Sequence, residues 1–125
     1  MSDSESPVKG MLPLREPTFF ILLSLAPCPK HGYAILKDVE ELSGSKIRLS
    51  TGTLYEALAR LLDQNLIERV DLDAGGEELN SDPHPGKPRK AYCLTHAGRR
   101  ILEAEIGRMQ FLISAARRRL GEECS

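Results

Sequence analysis

A mostly helical chain with one small β-hairpin and a long final helix is what these 125 residues predict. Three observations carry the prediction. Apolar residues recur at helical spacing in short stretches between residues 16 and 64. Two brief runs with strand character, Leu66 to Val70 and Ala91 to Leu94, flank a segment rich in glycine and proline. An apolar series at heptad spacing then runs from Leu102 to Leu120.

Residues 1–15 read as a flexible arm, because the first half is rich in Ser, Asp and Glu and shows no periodicity. The first helix is expected from about Glu16 to Leu25. Pro17 suits a first helical position, where its missing N–H would be unpaired in any case. Phe19, Phe20, Leu22, Leu23 and Leu25 make this helix apolar nearly all round, the pattern of a segment buried on most sides. Ala26-Pro27-Cys28-Pro29 stops it, since proline cannot continue the ladder. The second helix starts at His31 or Gly32 and runs to about Leu42, with Ile35, Val39 and Leu42 on one face. Lys37, Asp38, Glu40 and Glu41 take the other sides. Ser43-Gly44-Ser45 ends it, with glycine available for a left-handed cap.

The third helix is expected from Thr51 to about Gln64, with Ser50 as N-cap and Leu54, Leu58, Leu61 and Leu62 facing the core. Next come the two strands, joined by a long tip that holds Gly75-Gly76, Pro83, Pro85 and Pro88. Thr95 caps the last helix, which reaches about Leu120. Leu102, Ile106, Met109, Ile113, Ala116 and Leu120 are spaced 4, 3, 4, 3, 4 along it. The chain therefore divides into an arm (1–15), three helices with a hairpin (16–94), a long helix (95–120) and a short tail (121–125).

Composition narrows the function classes. The hydrophobic fraction of 41% and charged fraction of 28% are ordinary for a globular protein. The net charge of −1 means that any nucleic-acid reading has to rest on local charge. The apolar stretch from Phe19 to Ala26 is far shorter than the roughly 20 residues a bilayer span needs. The N-terminus, MSDSESPVKG, is acidic and polar where a signal peptide is basic and then apolar. A cytoplasmic protein without membrane contact is expected. Cys28, Cys93 and Cys124 lie far apart, as do His31, His84 and His96, so neither a disulfide framework nor a metal site is expected. Nothing points to a cofactor. With no carboxylate pair, nucleophile–base pair or glycine-rich phosphate loop standing out, no enzyme is expected.

Three helices followed by a hairpin is the element order of a winged helix-turn-helix. Three local stretches make the case more specific: Lys30-His31-Gly32-Tyr33-Ala34-Ile35; Leu49-Ser50-Thr51-Gly52-Thr53-Leu54-Tyr55-Glu56-Ala57-Leu58; and Pro85-Gly86-Lys87-Pro88-Arg89-Lys90-Ala91-Tyr92-Cys93-Leu94-Thr95. In this order they resemble the PadR family of bacterial transcription regulators, over about Leu14 to Leu120. The resemblance implies a winged helix-turn-helix followed by a dimerisation helix. It also implies operator DNA as partner, commonly with repression that a small effector relieves.

The residues agree with what the resemblance implies. A recognition helix needs an opening turn without bulk. Ser50, Thr51 and Thr53 supply hydroxyls, Gly52 permits close backbone approach, and the helix start offers free N–H groups to a phosphate. By resemblance Tyr55 flanks the DNA-facing surface, its hydroxyl near a phosphate. Ser50 can equally serve as a helix cap alone, and Tyr55 as an aromatic at the core edge. Five acids and no base lie from Asp71 to Asp82, and five bases and no acid from Pro83 to Leu102. The resemblance places Lys87, Arg89 and Lys90 of the basic half on the wing, against the DNA backbone or minor groove. Lys87 stands where the family commonly has arginine. It keeps the charge for a phosphate but loses bidentate geometry.

The heptad series (Leu102, Ile106, Met109, Ile113, Ala116, Leu120) is the argument for a homodimer. Pairing with a twin would bury the stripe and give the two-fold symmetry that a palindromic operator needs. The alternative is packing on the first helix of the same chain, and both can hold together, because Ile101, Phe111 and Leu112 widen the apolar face beyond a strict seam. The resemblance further implies a response to small aromatic or planar compounds. Some members stack such compounds on Trp, which this chain lacks, leaving Phe19, Phe20, Met109 and Phe111 as pocket or core residues. A different reading of the same fold is a protein-interaction module that grips a protein through its wing or third helix, motivated by the near-neutral charge and acidic wing tip.

Overall fold

Pro17 opens the first helix and Pro27 closes the turn that follows it, in the computed structural model as in the sequence. The structure describes residues 10–71 and 90–124. Within them the order is α1 (Glu16–Leu25), β1 (Lys30–His31), α2 (Gly32–Leu42), α3 (Thr51–Asp63), β2 (Ile67–Asp71), β3 (Lys90–Leu94) and α4 (His96–Leu120). The wing tip between Asp71 and Lys90 lies outside the described residues, with Gly75, Gly76, the three prolines, Lys87 and Arg89.

The expected two-stranded hairpin is one strand short. The sheet has three antiparallel strands in the order β1-β3-β2. Lys30 lies opposite Tyr92 and His31 opposite Ala91. Two residues are too few to show an alternating pattern. The local cause is Pro29, which keeps the residue before it out of the helical region and so extends the chain after α1. On the other edge Ile67 pairs with Leu94, Arg69 with Tyr92 and Asp71 with Lys90. Both wing strands are thus one residue out from expectation at the tip.

Helix ends follow from short-range chemistry. Ser50 Oγ accepts from the Thr53 N–H at 3.1 Å, and Thr95 Oγ1 accepts from the Gly98 N–H at 2.9 Å. At the end of α2 the Gly44 N–H donates to Glu41 O and the Ser45 N–H to Glu40 O, with Gly44 at φ 64°. At the end of α3 the Asn65 N–H donates to Leu62 O and the Leu66 N–H to Leu61 O, with Asn65 at φ 62°. Both are paired left-handed caps, one built on Gly and one on Asn. The second explains why α3 stops at Asp63 and why Leu66 is not the first residue of β2.

The core forms around α1, which packs against α2, α4 and β3. Ile21, Leu22 and Leu25 meet Ile35 and Val39 of α2, Leu54, Leu58 and Leu61 of α3, and Ile101 and Leu102 of α4. Each such side chain contributes about 1.5–3 kcal/mol on burial. Leu42, expected on the inner face of α2, is exposed instead: it is the last residue of the helix, one turn past Val39, the last buried apolar residue of that face. A polar knot ties α1 to β1 and α2. Ser24 Oγ donates to Asp38 Oδ2 at 2.9 Å, and Lys30 Nζ donates to Ser24 O at 2.6 Å and lies 3.6 Å from Asp38.

The end of the arm lies on this core. Met11, Leu12 and Leu14 pack against it, and the Leu14 N–H donates to Glu105 Oε2 at 3.2 Å. Glu105 is only 2% exposed. Arg108 holds it bidentately, Nε to Oε1 at 2.7 Å and Nη2 to Oε2 at 2.9 Å. The Arg108 hydrogen bonds outweigh burial and keep the Glu105 carboxyl below the usual carboxylate range. Its stabilisation is therefore present above the unfolded carboxylate value and lost as pH falls through the lower folded one. Glu105→Ala is expected to cost about 1–3 kcal/mol. Urea unfolding at neutral and at acid pH checks this: the gap between parent and variant should narrow on acidification, and a constant gap would contradict the assignment.

Candidate nucleic-acid interface

The opening of α3 is presented to solvent along its whole first turn. Ser50, Thr51, Gly52 and Thr53 are all exposed. Ser50 is committed as a cap: besides accepting from Thr53 N–H, its hydroxyl donates to Thr53 Oγ1 at 2.9 Å. Thr53 thus accepts from Ser50 and keeps its own O–H to donate outward. A Cβ on Gly52 would meet no atom within 4 Å, so the backbone there is open to a close approach. The first turn of α3 carries no acidic residue. Its leading N–H groups, at Thr51 and Gly52, precede the first intrahelical bond and point outward with the positive end of the helix dipole.

Tyr55 sits at the edge of this surface, half exposed. Its hydroxyl lies over Gly32, the first residue of α2, where a Cβ would overlap the Tyr55 oxygen. The glycine of the first motif and the tyrosine of the second are therefore one contact. Tyr92 of β3 is close by: burial raises its phenol above the ordinary value, and Tyr55 adds to the rise. Of the three expected wing bases only Lys90 is within the described residues. It is exposed and stands opposite Asp71. Arg99, counted with the basic run, is exposed, and its Nη2 donates to Ala26 O at 2.8 Å.

Two residues outside the expected set belong to the same region. Tyr33 is 70% exposed, and Lys37 places its ammonium 5.7 Å from the Tyr33 ring centroid. The available signal was their spacing: positions four apart on a helix share a face, and neither fits the Ile35–Val39 side.

The heptad series divides in two. Leu102 is 3% exposed in the single chain and belongs to its core, and Ile106 packs partly on the same core. Met109 is half-buried. Ile113 and Ala116 are exposed and Leu120 is 85% exposed, with Phe111 and Leu112 exposed beside them. Of the aromatics considered for an effector pocket, Phe19 and Phe20 pack partly on the core in an edge-to-face pair 5.5 Å apart, and Phe111 is exposed. A cleft of about 220 Å³ lies elsewhere, between the arm, α1 and the end of α3, lined by Met11, Leu14, Arg15, Arg60 and Leu61 among others. Burial and then the Glu68 carboxylate raise the Cys93 thiol above its ordinary value, which disfavours the reactive thiolate. Among the described residues no group of His, Cys, Asp and Glu is arranged to hold a metal ion, and no helix is long and apolar enough to cross a membrane.

Comparison with known proteins settles the family. The model of the transcriptional regulator PadR-like family matches residues 21–104. This chain belongs to the PadR-like family. It is the family that the three motifs imply, and the mostly helical winged fold agrees with it. A PadR family transcription regulator from Clostridium difficile R20291 is 27% identical and superposes with a TM-score of 0.62, covering 86% of this chain and 100% of that one. Bacillus subtilis PadR, solved in complex with operator DNA, is 22% identical with a TM-score of 0.58, over 74% of this chain and 47% of that one; this likeness shows the fold. An uncharacterized 37.1 kDa protein in transposon TN4556 of Streptomyces fradiae is 39% identical over 89 residues, 71% of this chain. The PadR-like chain spans 21% of the length of that relative.

Proposed function

We propose that this PadR-like regulator binds operator DNA as a homodimer through the opening of α3 and the wing, and represses until a small aromatic or planar effector releases it. The observation that carries the reading is the exposed first turn of α3, which combines hydroxyls, an open Gly52 and no acid. Family membership supports it, since the Bacillus subtilis relative was solved on operator DNA. In this reading Thr51, Gly52 and Thr53 meet the DNA, Ser50 holds the turn in shape, and Tyr55 borders it. Lys87, Arg89 and Lys90 of the wing neutralise phosphates. The effector part rests on the resemblance alone.

The homodimer part rests on the outer half of α4. Met109, Ile113, Ala116 and Leu120 form the pairing surface, while Leu102 and Ile106 anchor the helix on its own core. Ile113→Glu is expected to convert the dimer to a monomer at micromolar concentration, because pairing would bury an unpartnered charge. Ile113 is 51% exposed in the single chain, so the fold itself should persist. Sedimentation with a thermal melt checks both, and a variant that stays dimeric would remove this surface from the account.

Selection from a random duplex library tests the reading as a whole. The retained sequences should share a two-fold symmetric motif, with half-sites about 34–36 Å apart or a multiple of that. Failure to enrich any motif would favour the protein-interaction reading of the same fold.

A further inference from the structure

We infer that Tyr33 and Lys37 of α2 form a phosphate clamp beside the recognition helix, adding affinity for duplex DNA without adding sequence preference. The inference rests on the DNA-binding reading above and extends it to a second helix. Tyr33 and Lys37 lie one turn apart on α2, and the 5.7 Å separation of ammonium and ring centroid is within the range of cation–π attraction. The pair makes no ion pair or hydrogen bond with any described residue. An exposed tyrosine in this position stabilises the core little.

Charge favours the DNA backbone as occupant. Lys37 is the only base in α2. Of the three acids on this helix, Asp38 is engaged by Ser24 and Lys30 and Glu40 by Arg48 at 3.2 Å, while Glu41 is exposed one turn beyond Lys37, on the side away from Tyr33 along the helix. From Gly32 to Lys37 the helix carries one positive charge and no negative one. The surface is also continuous with α3. The Tyr55 hydroxyl rests on Gly32, the residue immediately before Tyr33, so the recognition helix reaches the foot of the pair. A phenol O–H donates one hydrogen bond and an ammonium supplies a compact charge. Both suit phosphate oxygens, and neither makes the bidentate contacts that read bases. The ring holds the lysine in place before binding, which limits the side-chain freedom lost on contact.

The test uses the full chain with Tyr33→Phe, Lys37→Gln and the double variant. Each is titrated against the duplex recovered by selection and against a scrambled duplex, over a salt series. Each variant is expected to weaken both duplexes by the same factor, about tenfold or more for the dimer. Lys37→Gln should also lower the slope of log K against log salt by about two per dimer, one for each protomer, while Tyr33→Phe leaves the slope unchanged. Unchanged melting temperatures would show that the fold is intact. Parent-like affinity and slope in the double variant would overturn the clamp while leaving the DNA reading in place. A loss confined to the selected duplex would overturn it in favour of base reading. If the parent itself shows no salt-dependent duplex binding, the DNA reading fails and the clamp fails with it.

Discussion

Replacing Gly52 with glutamate is expected to abolish DNA binding while leaving the fold as stable as before or slightly more so. The two effects have separate causes. On the folding side, a Cβ at Gly52 meets open space, and the first turn of α3 has no acid of its own. Removing a helical glycine gains about 0.5–1 kcal/mol, and a carboxylate in the first turn gains about 0.3–1 kcal/mol from the helix dipole. On the binding side, the same carboxylate sits where a phosphate is to approach the leading N–H groups. Bulk removes the close approach, and like charges at contact cost several kcal/mol, a loss of about a hundredfold or more. Thermal melting and duplex titration on one preparation read both signs. A variant that melts like the parent and binds like the parent would remove the opening of α3 from the interface.

The largest effect on folding is expected at Gly98. This glycine is in the first turn of α4, where the helix presses against the turn between α3 and β2. A Cβ there would overlap the carbonyl oxygen of Leu66, which is backbone and cannot swing aside, and would also crowd Leu94. That carbonyl already accepts the Thr95 N–H at 3.1 Å, and the Thr95 hydroxyl donates to Asn65 O at 2.7 Å. Gly98→Ala therefore pushes α4 off the α3–β2 corner. A destabilisation of about 1–3 kcal/mol or more is expected, lowering the melting temperature by roughly 5–15 °C. Gly107 on the outer part of the same helix is the control. A Cβ there meets nothing, so Gly107→Ala should stabilise slightly through helix propensity. Equal melting temperatures for the two variants would contradict this account of the corner.

Much of this architecture was legible because the local signals are strong. Ser50 and Thr95 announce helix starts, Gly44 a helix stop, and the leucines of α3 its buried face. β1 was not legible, since two residues carry no period and owe their pairing to β3, some sixty positions away. The role of Gly32 was hidden for a similar reason: its partner, Tyr55, is on another helix, and nothing in either motif says that they touch. The heptad series left the division between core and free stripe open. Spacing shows which residues share a stripe, but not where along α4 the core of the same chain ends, and Leu102 lies on the inner side of that limit. Asp38 looked like one more charge on a wet helix face. Its tie to the buried Ser24 depends on how α1 and α2 cross, which periodicity does not record.

This PadR-like chain is proposed to read operator DNA. The most direct measurement is fluorescence anisotropy of a duplex from upstream of its own gene, against a scrambled duplex, at two salt concentrations. Tight binding to the first, weaker binding to the second, and a loss of affinity for both as salt rises are expected, because phosphate contacts release counterions. Binding to neither duplex at low salt would contradict that reading.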